Sequence, residues 1–248
     1  MLIVSKNNPV VKELASLKDK KGRRERGTFP IEGAKMISEC AASGLEIVRI
    51  ALREDKIEEE WAKLAPTVLL GRDAFQAVSD EKTPQGLFAE VKIPVCEVKP
   101  PEKSCLLLDG VADPANVGAI IRTAVAAGYE ELYLIDCADP YSPKSVRASM
   151  SGVFFAKLMQ GSREEVLKAL DGVPILAADM GGENVFSFQP PEKFCIAIGN
   201  EGNGLSSEVR EAAAYTVRIP MGEHTESLNA AVSAGITMYT LKFTRFFS

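Results

Sequence analysis

The sequence predicts an α/β protein of two domains, the second built on a mainly parallel sheet. Three observations predict it. Short apolar runs of strand length alternate with amphipathic stretches of helical period along nearly all of the 248 residues. A segment bearing Pro94, Pro100 and Pro101 interrupts that alternation, as a linker does. Late in the chain two apolar runs stop abruptly: Phe194 to Ile198 at Gly199-Asn200-Glu201-Gly202-Asn203-Gly204, and Thr216 to Ile219 at Pro220. The carboxyl ends of strands are where an open α/β sheet places its ligand.

The proline-bearing stretch from 92 to 103 separates a first domain over residues 1–95 from a second over 104–248, with 96–103 as the linker. In the first, Ser5 to Pro9 opens a helix whose apolar stripe is Val10, Val11, Leu14 and Leu17. It runs into the basic stretch Lys18 to Arg26. Glu32 and Gly33 read as a strand end and its turn. Helix is predicted over Ala34 to Ala42, strand over Ile47 to Leu52, helix over Ile57 to Leu64 and strand over Val68 to Leu70. A short helix from Arg72 to Val78 and a strand from Leu87 to Val91, after the turn Thr83-Pro84-Gln85-Gly86, complete it.

The second domain opens with the apolar strand Cys105 to Asp109. Asp113-Pro114-Ala115-Asn116-Val117-Gly118 turns into a helix whose apolar face is Ile120, Ile121, Ala124, Val125 and Ala127, closed by Gly128 as a C-cap. Strands are predicted over Leu132 to Asp136, Ile175 to Ala178 and Lys193 to Ile198, and a helix over Glu164 to Leu170. After the glycine turn, Ser206 or Ser207 caps another helix with Glu208 in its first turn. The last helix, Asn229 to about Phe243, is apolar nearly all round, so it is buried or lies at a subunit interface.

Composition narrows the function. With 46% hydrophobic and 25% charged residues this is an ordinary soluble chain. No apolar run approaches the ~20 residues of a membrane span, and the first residues lack the apolar core of a signal peptide. Cys40, Cys96, Cys105, Cys137 and Cys195 are scattered without a C-x-x-C pair, which points to reduced core residues in a cytoplasmic protein. The one histidine, His224, excludes a multi-histidine metal centre, and no metal is expected. A solvated loop histidine is its plainer reading. The net charge of −5 is unevenly spread: eight basic against three acidic residues in the first thirty give +5, leaving −10 elsewhere. A local basic patch of that kind is the electrostatic footprint of a nucleic-acid partner.

The glycine turn has neither the G-x-G-x-x-G spacing of a dinucleotide loop nor the G-K-[ST] of a phosphate loop. It carries an acid, Glu201, which would repel a polyphosphate and suit a neutral or cationic ligand. Taken in order, Asp113 to Gly118 through Arg122, then Gly199-Asn200-Glu201-Gly202, then Ile219-Pro220-Met221 with Ser227-Leu228-Asn229, resemble the three signature motifs of the TrmH/SpoU family of S-adenosylmethionine-dependent RNA ribose 2′-O-methyltransferases, within the SPOUT superfamily. Phe29 to Gly33 and Thr83 to Gly86 resemble segments of the RNA-binding domain that many members carry, so the likeness spans essentially the whole chain.

The resemblance implies a deep trefoil knot in the C-terminal segment with the cofactor held in it, and a homodimer with the sites near its interface. It implies a catalytic set of Arg122, Asn116, Glu201, Ser227 and Asn229. The cofactor would be held by Gly199, Asn200, Gly202, Ile219, Met221 and Leu228, largely through backbone groups. RNA contacts fall to Lys18, Lys20, Lys21, Arg23 and Arg24, and to Lys144 and Arg147 in a basic helix start after the second strand. Ser151 stands where many members have glycine, a small packing change. The family assigns proton removal to the arginine matching Arg122, but a guanidinium is a poor base; pinning the phosphate beside the ribose and polarising the 2′-oxygen is the other role open to it. Large-subunit (23S) ribosomal RNA is the expected substrate. The alternatives are transfer RNA ribose methylation and a non-catalytic RNA-binding member.

Overall fold

A computed structural model describes residues 2–56, 60–224 and 227–243. In chain order the first part holds β1 (Leu2–Ile3), α1 (Pro9–Ser16), α2 (Lys20–Arg26), β2 (Thr28–Glu32), α3 (Ala34–Ser43), β3 (Ile47–Arg53), β4 (Thr67–Leu70), α4 (Arg72–Val78) and β5 (Leu87–Lys92). There follow β6 (Cys105–Asp109), α5 (Pro114–Ala126), β7 (Glu131–Ile135), α6 (Pro143–Ser149), α7 (Gly152–Phe155), β8 (Lys157–Gln160) and α8 (Arg163–Ala169). The chain closes with β9 (Ile175–Asn184), β10 (Cys195–Gly199), α9 (Ser207–Ala212), β11 (Tyr215–Arg218) and α10 (Ala230–Phe243). Of the helix expected over Ile57 to Leu64, residues 57–59 lie outside the described residues and the rest forms a single 3-10 turn, Trp61–Lys63.

The chain divides into two units. One comprises the residues up to Val95 together with Tyr141–Phe154; the other comprises Cys96–Pro140 and the residues from Phe155 on. The basic helix α6, read in sequence as part of the second domain, thus belongs with the first unit. There Arg147 pairs with Asp80 at 2.8 Å, and Tyr141 packs its ring 5.0 Å from that of Phe29.

The first unit carries a five-stranded sheet in the order β1-β4-β3-β5-β2. β5 runs antiparallel to β2 and β3, and the other pairs are parallel. Val11, Leu14 and Leu17 of the predicted stripe are buried with Phe75, Val78 and Phe88. The helix start is local chemistry: Asn8 accepts from the Val10 amide at 2.9 Å and Pro9 takes the first helical position. The stripe does not run on into the basic stretch, because α1 ends and the separate helix α2 begins. Gly22 makes this possible, since a Cβ there would lie 2.1 Å from the Ser16 carbonyl oxygen.

The second unit carries a six-stranded, wholly parallel sheet in the order β11-β9-β10-β6-β7-β8. β6 and β7 are buried at every position, as strands covered on both faces must be. Leu107, Tyr133, Ile135, Val166, Leu205 and Val209 lie in the core of this unit. β8, four residues with two buried, carries too short a pattern to have been anticipated. Helix α10 packs on α5 and β10, burying Ala234, Met238 and Leu241 while Val232 and Tyr239 stay 49% and 43% exposed. Among the described residues no helix is long and apolar enough to cross a membrane, and no cluster of three His, Cys, Asp or Glu side chains is placed to hold a metal ion. The cysteines are free; burial pushes the Cys40 thiol up to about 12 and that of Cys137 to about 11, which removes both as nucleophiles.

Candidate active site

The site is built where β6, β9, β10 and β11 end. β10 stops at Gly199, and the turn folds back over it so tightly that a Cβ at Gly199 would lie 2.3 Å from the Gly204 carbonyl carbon. Asn200 and Gly204 close the turn with two backbone hydrogen bonds of 2.9 and 3.0 Å, Gly204 taking a left-handed φ of 68°. The Asn200 side chain staples it: Oδ1 accepts from the Gly202 and Asn203 amides at 2.9 and 3.0 Å, and Nδ2 donates to the Gly110 carbonyl at 2.8 Å. Of the two serines proposed as the cap of α9, Ser206 is the one that caps. Its amide also donates to the buried Asp109 at 2.7 Å, tying the turn to the end of β6.

Glu201 reaches from the turn to the start of α5. Its carboxylate accepts from Asn116 Nδ2 at 2.7 Å and from the Ala112 and Asp113 amides at 3.2 and 3.4 Å. Asn116 Oδ1 in turn accepts from Asn229 Nδ2 at 2.9 Å. Asn229 Oδ1 caps α10 by accepting from the Ala231 and Val232 amides. Asn229 is thus the residue before the last helix, not its first residue. Burial opposes ionisation of Glu201, but the bonds from Asn116 and the amides outweigh it and hold the carboxyl below its ordinary value. A carboxylate kept ionised in this way is a weak base, and it positions Asn116.

Between these loops lies a cleft of about 400 Å³, within the range of small-molecule sites. Ile198, Val217, Ile219, Met221 and Leu228 give it an apolar side, and Gly199 and Gly202 give a stretch of wall made of bare backbone. Every residue expected to hold the cofactor lines it: Gly199, Asn200, Gly202, Ile219, Met221 and Leu228. Glu201 and Ser227 line it as well. The backbone wall and the apolar slot suit an adenosyl group, and the carboxylate of Glu201 suits a cationic centre.

A family model described as "SpoU rRNA Methylase family" matches residues 103–239, more than half of the chain. The chain belongs to that family. A second model, described as "MRM3-like substrate binding domain", matches residues 8–89. The chain is 32% identical to the 23S rRNA (guanosine(2553)-2′-O)-methyltransferase RlmP of Bacillus subtilis (strain 168), over 97% of this chain and 98% of the relative. It is 30% identical to the 23S rRNA (uridine(2479)-2′-O)-methyltransferase of Streptomyces viridochromogenes, over 96% and 90%. Its fold is similar to that of the AdoMet-bound rRNA methyltransferase of Sinorhizobium meliloti, with a TM-score of 0.90 at 26% identity, covering 100% of this chain and 99% of the other.

Not all of the family's expected residues meet. Asn116, Glu201 and Asn229 form one bonded chain, whereas Arg122 is exposed on α5, outside the cleft wall and without a bond to Glu201. His224 is exposed and does not line the cleft; residues 225 and 226, just before Ser227, lie outside the described residues. The RNA-facing set needs one correction. Arg23 is buried, its Nη1 donating to the Leu17 and Lys18 carbonyls at 2.8 Å each. It caps the end of α1 and has no face to offer RNA. Lys18 is half-buried, with Nζ donating to the Ala77 carbonyl at 2.7 Å. Lys20, Lys21 and Arg24 are exposed together on α2, and Lys144 and Arg147 are exposed on α6.

Among the cleft residues that the sequence did not single out are two opposite charges, Asp179 on β9 and Arg210 on α9. The signal for Asp179 was its position just past the apolar run Ile175 to Ala178, although the strand itself continues to Asn184. Arg210 had none.

Proposed function

We propose that this chain transfers the methyl group of S-adenosylmethionine to a ribose 2′-hydroxyl of RNA, and that the RNA is 23S ribosomal RNA. S-adenosylmethionine supplies an activated methyl on a sulfonium, so the protein's task is alignment, which can supply up to ~7–11 kcal/mol. The observation that carries the reading is the bonded chain Glu201–Asn116–Asn229, which ties all three motifs around one cleft. Gly199, Ile219 and Leu228 hold the cofactor through backbone and apolar contacts. Asn116 and Ser227 position the nucleotide. Arg122, solvent-facing on α5, pins the phosphate beside the target ribose and polarises the 2′-oxygen.

Lys20, Lys21 and Arg24 on α2, with Lys144 and Arg147 on α6, supply phosphate contacts. The exposed apolar side chains of α10 support a homodimer, and the expected knot in the C-terminal segment and a cytoplasmic location belong to the same reading. The two named relatives act on different 23S nucleotides, so the family leaves the modified position open.

The test is transfer of labelled methyl from S-adenosylmethionine to purified 23S RNA and to bulk transfer RNA. Label is expected in 23S RNA, within 2′-O-methylated nucleotides. Arg122→Ala is expected to cut transfer about 100-fold or more while S-adenosylhomocysteine affinity stays within about twofold, as for a group acting on the transition state. Label in transfer RNA alone would overturn the substrate, and near-normal turnover by Arg122→Ala would overturn its role.

A further inference from the structure

Asp179 and Arg210 stand on the cleft wall and have no part in the reading above. Their side chains meet at 2.5 Å, Nη1 to Oδ2. Arg210 is further held by Nε, which donates to the Leu205 carbonyl at 2.9 Å. Its Nη2 lies over Gly204, where a Cβ would come within 2.7 Å of it, so the bare glycine makes room for the guanidinium. Asp179 Oδ1 and Arg210 Nη2 make no hydrogen bond to another described residue. The pair therefore presents an unused acceptor and an unused donor of opposite charge, on a fixed frame.

S-Adenosylmethionine has chemically distinct parts. Adenine needs flat apolar walls, which Ile219, Met221 and Leu228 offer. The ribose hydroxyls are neutral and are matched by the backbone of the glycine turn. The amino-acid end is a zwitterion, an ammonium and a carboxylate on one carbon, and it needs both signs of charge side by side. Among the described residues no other group on the wall supplies both: Glu201 already accepts three donors, and Arg218 is a cation without a paired anion there.

We propose that Asp179 and Arg210 recognise the amino-acid end of the cofactor, Asp179 accepting from its α-ammonium and Arg210 donating to its α-carboxylate. The inference rests on the reading of the cleft as the S-adenosylmethionine site. The pair is specificity-determining; it touches no reacting atom.

The test is calorimetric binding of two ligands to the full chain. S-Adenosylhomocysteine has the amino-acid end; 5′-methylthioadenosine keeps adenine and ribose but lacks it. Asp179→Asn and Arg210→Gln are each expected to weaken S-adenosylhomocysteine about tenfold or more, while 5′-methylthioadenosine moves less than about twofold. The second ligand thus reports that the variants remain folded around the adenosine pocket. Equal loss for both ligands would make the pair a brace or a ribose contact, and unchanged affinity for both would remove it from recognition; either overturns the inference alone. A wild-type chain that binds neither ligand would overturn the reading of the cleft and the inference with it.

Discussion

Glu90 of the first unit and Glu201 of the second are both carboxylates anchored by several donors, and they are anchored in opposite ways. Glu90 is fully buried in β5, and charge answers charge around it. Arg26 reaches it at 2.8 Å, Arg49 lies at 3.9 Å, the Thr28 hydroxyl donates at 2.8 Å, and Glu13 bridges the two arginines from outside. Glu201 stands on the open side of a turn, and all its donors are neutral: one side-chain amide and two backbone amides. The cations meet the charge of Glu90 and its burial shuts out a ligand, although one oxygen, Oε2, is left without a hydrogen bond among the described residues. A carboxylate held ionised by neutral donors on a cleft wall keeps its field for whatever enters. The difference separates a carboxylate that holds the fold from one that prepares a site.

The contrast breaks first at Glu90. Glu90→Ala leaves two guanidiniums and a buried hydroxyl without their anion, and is expected to cost about 3–5 kcal/mol of stability. S-Adenosylhomocysteine affinity of the folded fraction is expected to stay within about twofold, because nothing near the cleft changes. Denaturant titration with and without the ligand measures both. A marginal stability loss, or a cofactor affinity that falls with it, would erase the distinction between the two carboxylates.

How far each region was legible follows from the same physics. The ends of β10 and β11 were readable because glycine and proline mark backbone that only they adopt readily, and because an apolar run has a visible end. The residues Asn116, Glu201 and Asn229 were named through the resemblance, but their contact joins positions up to 113 residues apart, which no local pattern encodes. Arg23 was misassigned for the opposite reason. In Lys20-Lys21-Gly22-Arg23-Arg24 nothing apolar distinguishes the inward position, and the only hint is Gly22, whose missing side chain lets α2 lie against α1 close enough for Arg23 to reach its last carbonyls. The placement of 141–154 in the first unit was likewise invisible, since Tyr141 and Val146 look like any apolar helix face.

The basic segment sharpens the comparison by splitting charges that look alike. Reversing Lys20, Lys21 and Arg24 to Glu is expected to weaken RNA binding and to flatten the dependence of log affinity on log salt by about 2–3, at roughly 0.7–0.9 for each phosphate no longer neutralised. Cofactor affinity is expected to hold. Arg23→Ala is expected to do the reverse, lowering stability by about 1–3 kcal/mol through the unpaired carbonyls of α1 while leaving the salt slope in place. Electrophoretic titrations over a salt series, beside thermal melts, distinguish the two. A salt slope that moves with Arg23 and not with the other three would put the RNA on a different face of α2.

The smallest effect belongs to Glu201 and has a sign. Its carboxyl lies below the ordinary value of 4.5 in the folded chain, so its bonds contribute stability that is fully present above the unfolded value and is lost as pH falls through the folded one. Glu201→Gln keeps an acceptor for Asn116 but turns an amide donor toward the Ala112 or Asp113 amide, so it is expected to melt slightly below the wild type near neutral pH. The gap should narrow as both are acidified below about 4.5, because the wild type alone loses its carboxylate there. Melting curves of the two chains from about pH 7 to about pH 3 measure that gap. A constant gap would mean that the charge on Glu201 contributes nothing to the turn, leaving shape alone to hold Asn116 in place. A gap that widens in acid would mean that the carboxyl is raised, with burial outweighing its donors, and would make Glu201 a proton acceptor after all.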